Sequence, residues 1–282
     1  MKLTQHQYGK ARVRVMKITR RGARHSIKEL EVAVGLQGDF NASYTRADNR
    51  AVIATDSMKN IVNLLAKEKL GAETEEFGII LARHFLKTYP QVHHVGIELG
   101  EHCWERIRVR GRAHAHSFAE KSAVRPFARV TGARIKRRLE TIVESGIEDL
   151  LLLKSTGSGF EKFLRDEFTT LPETSDRIFA TRLKATWTYA RHPKSFAATN
   201  AKILEAMLAV FAENFSPSVQ VTLFQMGEAA LKAAPEISKI HLVMPNQHCL
   251  LINLALFGLE NKNELFVPTD APQGLIEGTV TR

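Results

Sequence analysis

Val243-Met244-Pro245-Asn246-Gln247-His248 lies between two runs that alternate like half-buried strands, Ile240-Leu242-Met244 before it and Leu250-Ile252-Leu254-Leu256 after it. Pro245 and Asn246 suit a strand interior poorly, so the pattern reads as a strand, a break and a second strand, a hairpin around Asn246. On extended backbone Asn246 and His248 are two apart and point to the same side. An amide beside an imidazole on rigid strands can hold a polar molecule and move a proton. A plain hairpin with a hydrogen-bonded histidine fits the same letters.

Outward from this stretch the chain repeats one pattern. Strand alternation covers Val13 and Val15, Leu30-Val32-Val34-Leu36, and Val95-Ile97-Leu99, with Trp104, Ile107 and Val109 read as the antiparallel partner of the last. Between them, past a polar loop from Ser43 to Arg50, Thr55-Asp56-Ser57 opens a helix carrying Met58, Ile61, Val62 and Leu65. Thr74-Glu75-Glu76 opens another, which stops before Pro90. The second half has long strands over 142–154 and 179–189, a helix carrying Ile203, Met207 and Phe211, and a helix capped by Ser216-Pro217-Ser218. Each half reads strand, strand, helix, helix, strand, strand. The expectation is an α+β protein of two modules, 1–135 and 136–282, with antiparallel sheets and paired helices on one face. Such a module leaves sheet edges open, and closing them between modules or subunits predicts an oligomer.

Of 282 residues, 44% are hydrophobic and 25% charged, enough for a full core and unlike a disordered chain. Cys103 and Cys249 share no CxxC spacing, so no disulfide framework or zinc ribbon is implied and a reducing cytoplasm fits. No apolar signal core, no membrane-length run and no peroxisomal C-terminal address are present; the expected location is cytoplasmic, with no membrane partner. The net charge of +10 is spread along the chain, densest at Arg106–Arg112 and Arg134–Arg138 beside turns and strand ends. A nucleic-acid binder concentrates its charge in a stripe with interleaved aromatics. Solubility or steering of a small anion is the better reading, with no nucleic-acid partner.

Several residues stand out for their chemistry. Thr55 and Asp56 sit at a helix start, where backbone amides and the helix dipole favour an anion; a plain cap fits equally. Lys10, at the start of a strand, can help relay a proton from a nearby hydroxyl. Arg177 can clamp a planar carbonyl or form a surface ion pair. Gln220, after Val219 at a helix start, offers both a donor and an acceptor. Phe160, within the polar loop Ser155-Thr156-Gly157-Ser158-Gly159, can provide a stacking face. His114-x-His116 suits zinc or iron, but no third ligand has convincing spacing, and no metal is expected. There is no P-loop, no GxGxxG and no GxSxG, so nothing supports a nucleotide cofactor or a serine elbow.

In chain order, Tyr8-Gly9-Lys10, Ala54-Thr55-Asp56-Ser57, His114-Ala115-His116-Ser117-Phe118, Leu153-Lys154-Ser155-Thr156-Gly157-Ser158, Asp176-Arg177, Ser218-Val219-Gln220, Pro245-Asn246-Gln247-His248 and Gly274-Leu275-Ile276-Glu277 resemble the urate oxidase (uricase) family. The resemblance spans nearly the whole chain. It implies tandem tunnelling-fold modules oligomerising into a barrel, and cofactor-independent oxidation of urate by O2 and water to 5-hydroxyisourate and hydrogen peroxide in purine degradation. It assigns Lys10, Thr55 and His248 to catalysis, and Thr55, Asp56, Phe160, Arg177, Val219, Gln220 and Asn246 to substrate binding. It implies a homotetramer whose active sites are shared between subunits, the Lys10/Thr55 group facing the Phe160/Arg177/Gln220 group of a neighbour. Gln247 and Cys249 depart from the family's commoner basic and aromatic residues. Two other readings remain at this point: a metal-dependent purine or pterin hydrolase on the same fold using His114 and His116, and a non-catalytic basic binding protein.

Overall fold

A computed structural model describes residues 1–121, 124–136 and 138–282. Arg137, in the second basic cluster, lies outside the described residues. Contacts divide the chain into two units, Met1–Gly146 with Lys194–Ala197, and Ile147–Pro193 with Ala198–Arg282.

In the first unit, β1 (Tyr8–Arg21) and β2 (Arg24–Gly38) form an antiparallel pair. A short helix α1 (Asn41–Arg46) interrupts what reads as a polar loop, and α2 (Thr55–Lys69) and α3 (Thr74–Thr88) follow. β3 (Val92–His102) then pairs with β2 and with β6 (Arg125–Ile135), giving the order β1-β2-β3-β6-β7, where β7 is Arg138–Lys154 and belongs to this unit as far as Gly146. Leu30, Val32, Val34 and Leu36 of β2 and Val95, Ile97 and Leu99 of β3 are buried, as are Met58 and Val62 of α2 and Phe77, Leu81 and Phe85 of α3. Period 2 on the strands and period 3.6 on the helices thus build the two sides of one core. Each large apolar side chain buried there contributes roughly 1.5–3 kcal/mol.

One pairing differs from the sequence reading. The partner of β3 is β6, whereas Trp104, Ile107 and Val109 form β4 (Trp104–Val109), which pairs with β5 (Arg112–Glu120) in a separate two-stranded sheet. Both strands alternate, but β6 brings buried Ala128 and Val130 to the core, while Ile107 and Val109 stay 41% and 54% exposed. Burial selects the strand beside β3, and nothing in local periodicity reports it.

In the second unit, β8 (Phe179–Tyr189) carries buried Leu183, Ala185 and Trp187, with α4 (Phe196–Glu213), which belongs to this unit from Ala198 on, against it and α5 (Val219–Ala233) following. Trp187 donates Nε1–H to Asn200 at 3.0 Å, and Phe179 meets Phe211 with ring centroids 5.3 Å apart. Trp187→Ala removes the largest fully buried side chain and is expected to cost about 3–5 kcal/mol, read as a lower urea midpoint at unchanged slope.

The hairpin expected around Asn246 is not formed. β9 (Ile237–Val243) runs antiparallel to Lys184–Tyr189 of β8, and β10 (Asn246–Leu251) runs antiparallel to Ala180 and Thr181 of the same strand. Both therefore follow one line along β8, with Met244-Pro245 as the break. On their far side the chain is broken in the same way, β11 (Phe266–Gly274) lying on β10 and β12 (Glu277–Thr281) on β9. Met244 donates its N–H to Ile276 at 2.7 Å, joining the two breaks. The alternation through Leu254 and Leu256 also stops early. β10 ends at Leu251, Ala255–Phe257 is a 3₁₀ turn, and Asn253 Oδ1 accepts the Ala255 N–H at 3.0 Å. Leu256 is 88% exposed, because a side chain–backbone bond has replaced the strand ladder.

Candidate functional site

In the second unit, three segments meet through backbone hydrogen bonds. Phe160 and Thr174 exchange N–H···O bonds at 2.8 and 3.1 Å, and Arg177 donates its N–H to Ser158 O at 2.7 Å. Gly159 donates to Ser216 O and Ser216 to Gly157 O, both at 2.9 Å. The polar loop before Phe160 is thus tied to the strand before Arg177 and to the segment that caps α5.

Asp176 adds a latch. Its carboxylate accepts from the Thr156 hydroxyl at 2.8 Å and the Gly157 N–H at 2.9 Å. The Thr156 hydrogen bond first, then the Gly157 amide, hold this carboxyl below its ordinary value. Because the pKa is lowered on folding, the latch is fully present above the ordinary carboxylate range and is lost as pH falls through the depressed value. Asp176→Ala should loosen both loops, raising the apparent dissociation constant of any ligand the Phe160 and Arg177 segments hold by about tenfold. Ligand titration of folded protein checks this, and an unchanged affinity counts against the latch.

Phe160, Arg177, Asn246 and His248 line one cavity of about 570 Å³, together with Leu171, Gln247 and Cys249. Asn246 lies opposite Thr181 and Gly274 and His248 opposite Thr269; the pairing with β11 shifts register between them, and Gln247 and Cys249 line the cavity as well, so strand alternation alone does not select the two. Arg177 is partly withdrawn from solvent, and burial pushes its guanidinium below its ordinary pKa; its Nε is buried without a hydrogen-bond partner. Buried donors are rarely left unpaired, so this one suits an acceptor brought by a ligand. The guanidinium carbon lies 5.3 Å from the Phe160 ring centroid, and Phe163 stacks on Phe160 at 4.8 Å with an 8° interplanar angle. The Phe160 ring is therefore held in place by Phe163 and lies beside the Arg177 guanidinium. Phe163 and Asp176 were missed as contributors to this site, and only their closeness in sequence to Phe160 and Arg177 hinted at it.

Val219 and Gln220 open α5, behind the N-cap Ser218, whose Oγ accepts the Val221 N–H at 3.2 Å. Val219 is buried and Gln220 exposed. Neither lines the 570 Å³ cavity, but the Ser216 bonds hold the start of their helix beside the Phe160 loop.

In the first unit, Lys10 lies on β1 and lines a cavity of about 390 Å³ with Tyr8, Gly35 and Glu98. Thr55 and Asp56 do not cap α2. Ala54 is the N-cap, no side chain bonds the free amides, and Thr55 is the first helical residue. The Asp56 carboxylate turns to its own helix, where it pairs with Lys59 Nζ and accepts from Asn60 Nδ2 at 3.0 Å. Lys59 chiefly, and Lys10 to a lesser degree, hold that carboxyl below its ordinary value. The helix start consequently keeps its amides and positive dipole end for an external anion or carbonyl.

His114 and His116 lie on β5 with ring centroids 4.6 Å apart, and His116 sits 5.7 Å from the ring of His25. Among the described residues no group of three His, Cys, Asp or Glu side chains is placed to hold a metal ion.

Fold and cavity define an antiparallel α+β protein with a small-molecule cavity walled by an aromatic ring, a guanidinium, an amide and an imidazole. The sequence model of a family described as Uricase matches residues 6–131 and 143–277. The uricase of Arthrobacter globiformis is 42% identical over 282 residues, covering 99% of this chain and 90% of the relative. That of Dictyostelium discoideum is 38% identical over 283 residues, covering 99% and 97%. The crystal structure of the Arthrobacter globiformis uricase superposes with a TM-score of 0.94 at 40% identity, over all of this chain and 95% of that one. The chain belongs to the uricase family.

Proposed function

We propose that the protein oxidises urate with dioxygen and water to 5-hydroxyisourate and hydrogen peroxide. The observation that carries this reading is the family match along nearly the whole chain, at 42% identity over 99% of its length. Two electrons leave the purine ring for O2, which departs as peroxide, and the oxygen of water joins the oxidised ring. The urate anion is itself the electron donor, so the reaction asks the protein for grip, proton transfer and a dry cavity.

In this reading the Arg177 fork and the Gln220 amide hold opposite edges of the flat ring, with a backbone contact from Val219. Phe160 covers the ring face. The amides of Thr55 and Asp56 at the start of α2 take a negative edge, and Asn246 holds dioxygen or water above the ring. Lys10, Thr55 and His248 move the proton whose removal makes urate a better reductant, and later activate water. The two groups of residues belong to different subunits of a homotetramer. Unpaired sheet edges support assembly: among the described residues β1 pairs only with β2, and β11 only with β10. The proposed location is the cytoplasm, in keeping with two free cysteines, Cys103 and Cys249; among the described residues no helix is long and apolar enough to cross a membrane.

The test is loss of the ultraviolet absorbance of urate by chelator-treated protein, with dissolved oxygen followed in parallel. Equal consumption of urate and oxygen with peroxide formed supports the proposal. Assembled protein that leaves urate unchanged refutes it.

A further inference from the structure

Two residues of the proposed proton relay, Lys10 and Thr55, lie on different elements of the first unit. A side-chain hydrogen bond joins the segments that lead into them, while at the far end of α2 Lys17 of β1 donates to Ala66 O at 3.2 Å and Lys67 O at 3.0 Å. Tyr8 Oη accepts the backbone N–H of Ile53 at 2.8 Å. Tyr8 is two residues before Lys10 on β1, so both side chains leave the same face of the strand. Ile53 is two residues before Thr55 and is buried at 6% exposure.

Each end of this strut is held. At Gly9, between Tyr8 and Lys10, an added Cβ would lie 1.8 Å from the Val34 carbonyl oxygen, so β1 rests against β2 more closely than any other residue allows. Tyr8 and Lys10 are opposite Leu36 and Val34, and the register shifts only beyond Lys10. The Tyr8 ring stands edge-on to buried Phe40, with centroids 4.8 Å apart at 83°. On the other side Val52 donates its N–H to Asn49 at 2.9 Å, and Ala54 accepts the first helical bond, from Met58, at 3.1 Å. Buried Met58 and Val62 fix the face of α2, and with no side chain capping it the segment leading into it is what remains to orient its first amides.

We infer that Tyr8 is a positioning residue for the reaction, its hydroxyl oxygen setting where Thr55 and the open amides of α2 stand relative to the Lys10 ammonium. This rests on the roles proposed for Lys10 and Thr55. Burial, opposed by the Ile53 hydrogen bond, raises the Tyr8 phenol above its ordinary pKa, so the hydroxyl stays neutral through the working pH range and the strut does not titrate there.

Tyr8→Phe keeps the ring and deletes only the acceptor. The assembled variant is expected to lose about tenfold in kcat while KM moves less than about twofold, since misplacing a reacting group by a fraction of an ångström costs turnover before binding. Amide exchange at Ile53 should speed up, with Tm little changed. The deciding measurement is a double-mutant cycle with Lys10→Ala, in which Tyr8→Phe should cost almost nothing further. An equal loss in both backgrounds, or an unchanged kcat in the single variant, overturns the inference, as does a loss matched by a fall in folded fraction. If Tyr8→Phe does not fold, Ile53→Pro removes the donor from the other side, and the same cycle is run with it. A Lys10→Ala enzyme with wild-type kcat would instead sink the relay reading on which the inference rests.

Discussion

Arg177→Ala is expected to raise the KM for urate about a hundredfold, with a much smaller change in kcat. Two charge-assisted hydrogen bonds from a guanidinium to a planar anion are worth about 3 kcal/mol or more, equivalent to about two decades in affinity. That binding is shared by ground state and transition state, so its loss appears in KM rather than turnover. The side chain is suited to such a grip, being drawn out of water over the Phe160 ring with its Nε unpartnered. Arg177→Lys should recover only part of the loss, because an ammonium cannot make the parallel pair. Comparable small losses in KM and kcat would argue against a substrate clamp.

Lys10→Ala should do the opposite, lowering kcat by about a hundredfold to ten-thousandfold while KM changes little. Taken together, the two variants test the shared site. Subunits carrying Lys10→Ala and subunits carrying Arg177→Ala, co-assembled, should regain a fraction of sites with both low KM and high kcat, a combination that neither variant shows alone, because some sites then combine an intact Lys10 from one chain with an intact Arg177 from its neighbour. Absence of any recovery in verified mixed assemblies would mean that each subunit supplies its own complete site.

Much of the fold was legible because local spacing records burial. The strands at Leu30–Leu36 and Phe179–Tyr189 and the helix Thr74–Thr88 before Pro90 lie where alternation and punctuation put them. Thr55 illustrates the limit at the site. Its identity marked a helix start, but whether it caps the helix or begins it depends on the φ/ψ of Ala54, and the carboxylate beside it went to Lys59 and Asn60. Phe160 illustrates another limit. A polar loop suggested a free ring, whereas backbone bonds to Thr174 and stacking by Phe163 order it.

The sequence by itself determined the buried faces of the long strands and helices and, through an ordered set of short motifs, the family to which the chain belongs. Those properties follow from the local periods of backbone and side chain. Tertiary structure alone decided that β9 and β10 follow one line along β8 rather than turning back, that β6 and not β4 lies beside β3, and that Asp176 serves Thr156 and Gly157. Each of these is a choice among partners distant in sequence. It is settled by which pairing buries more apolar surface and leaves fewer polar groups unbonded, a comparison that no local pattern contains.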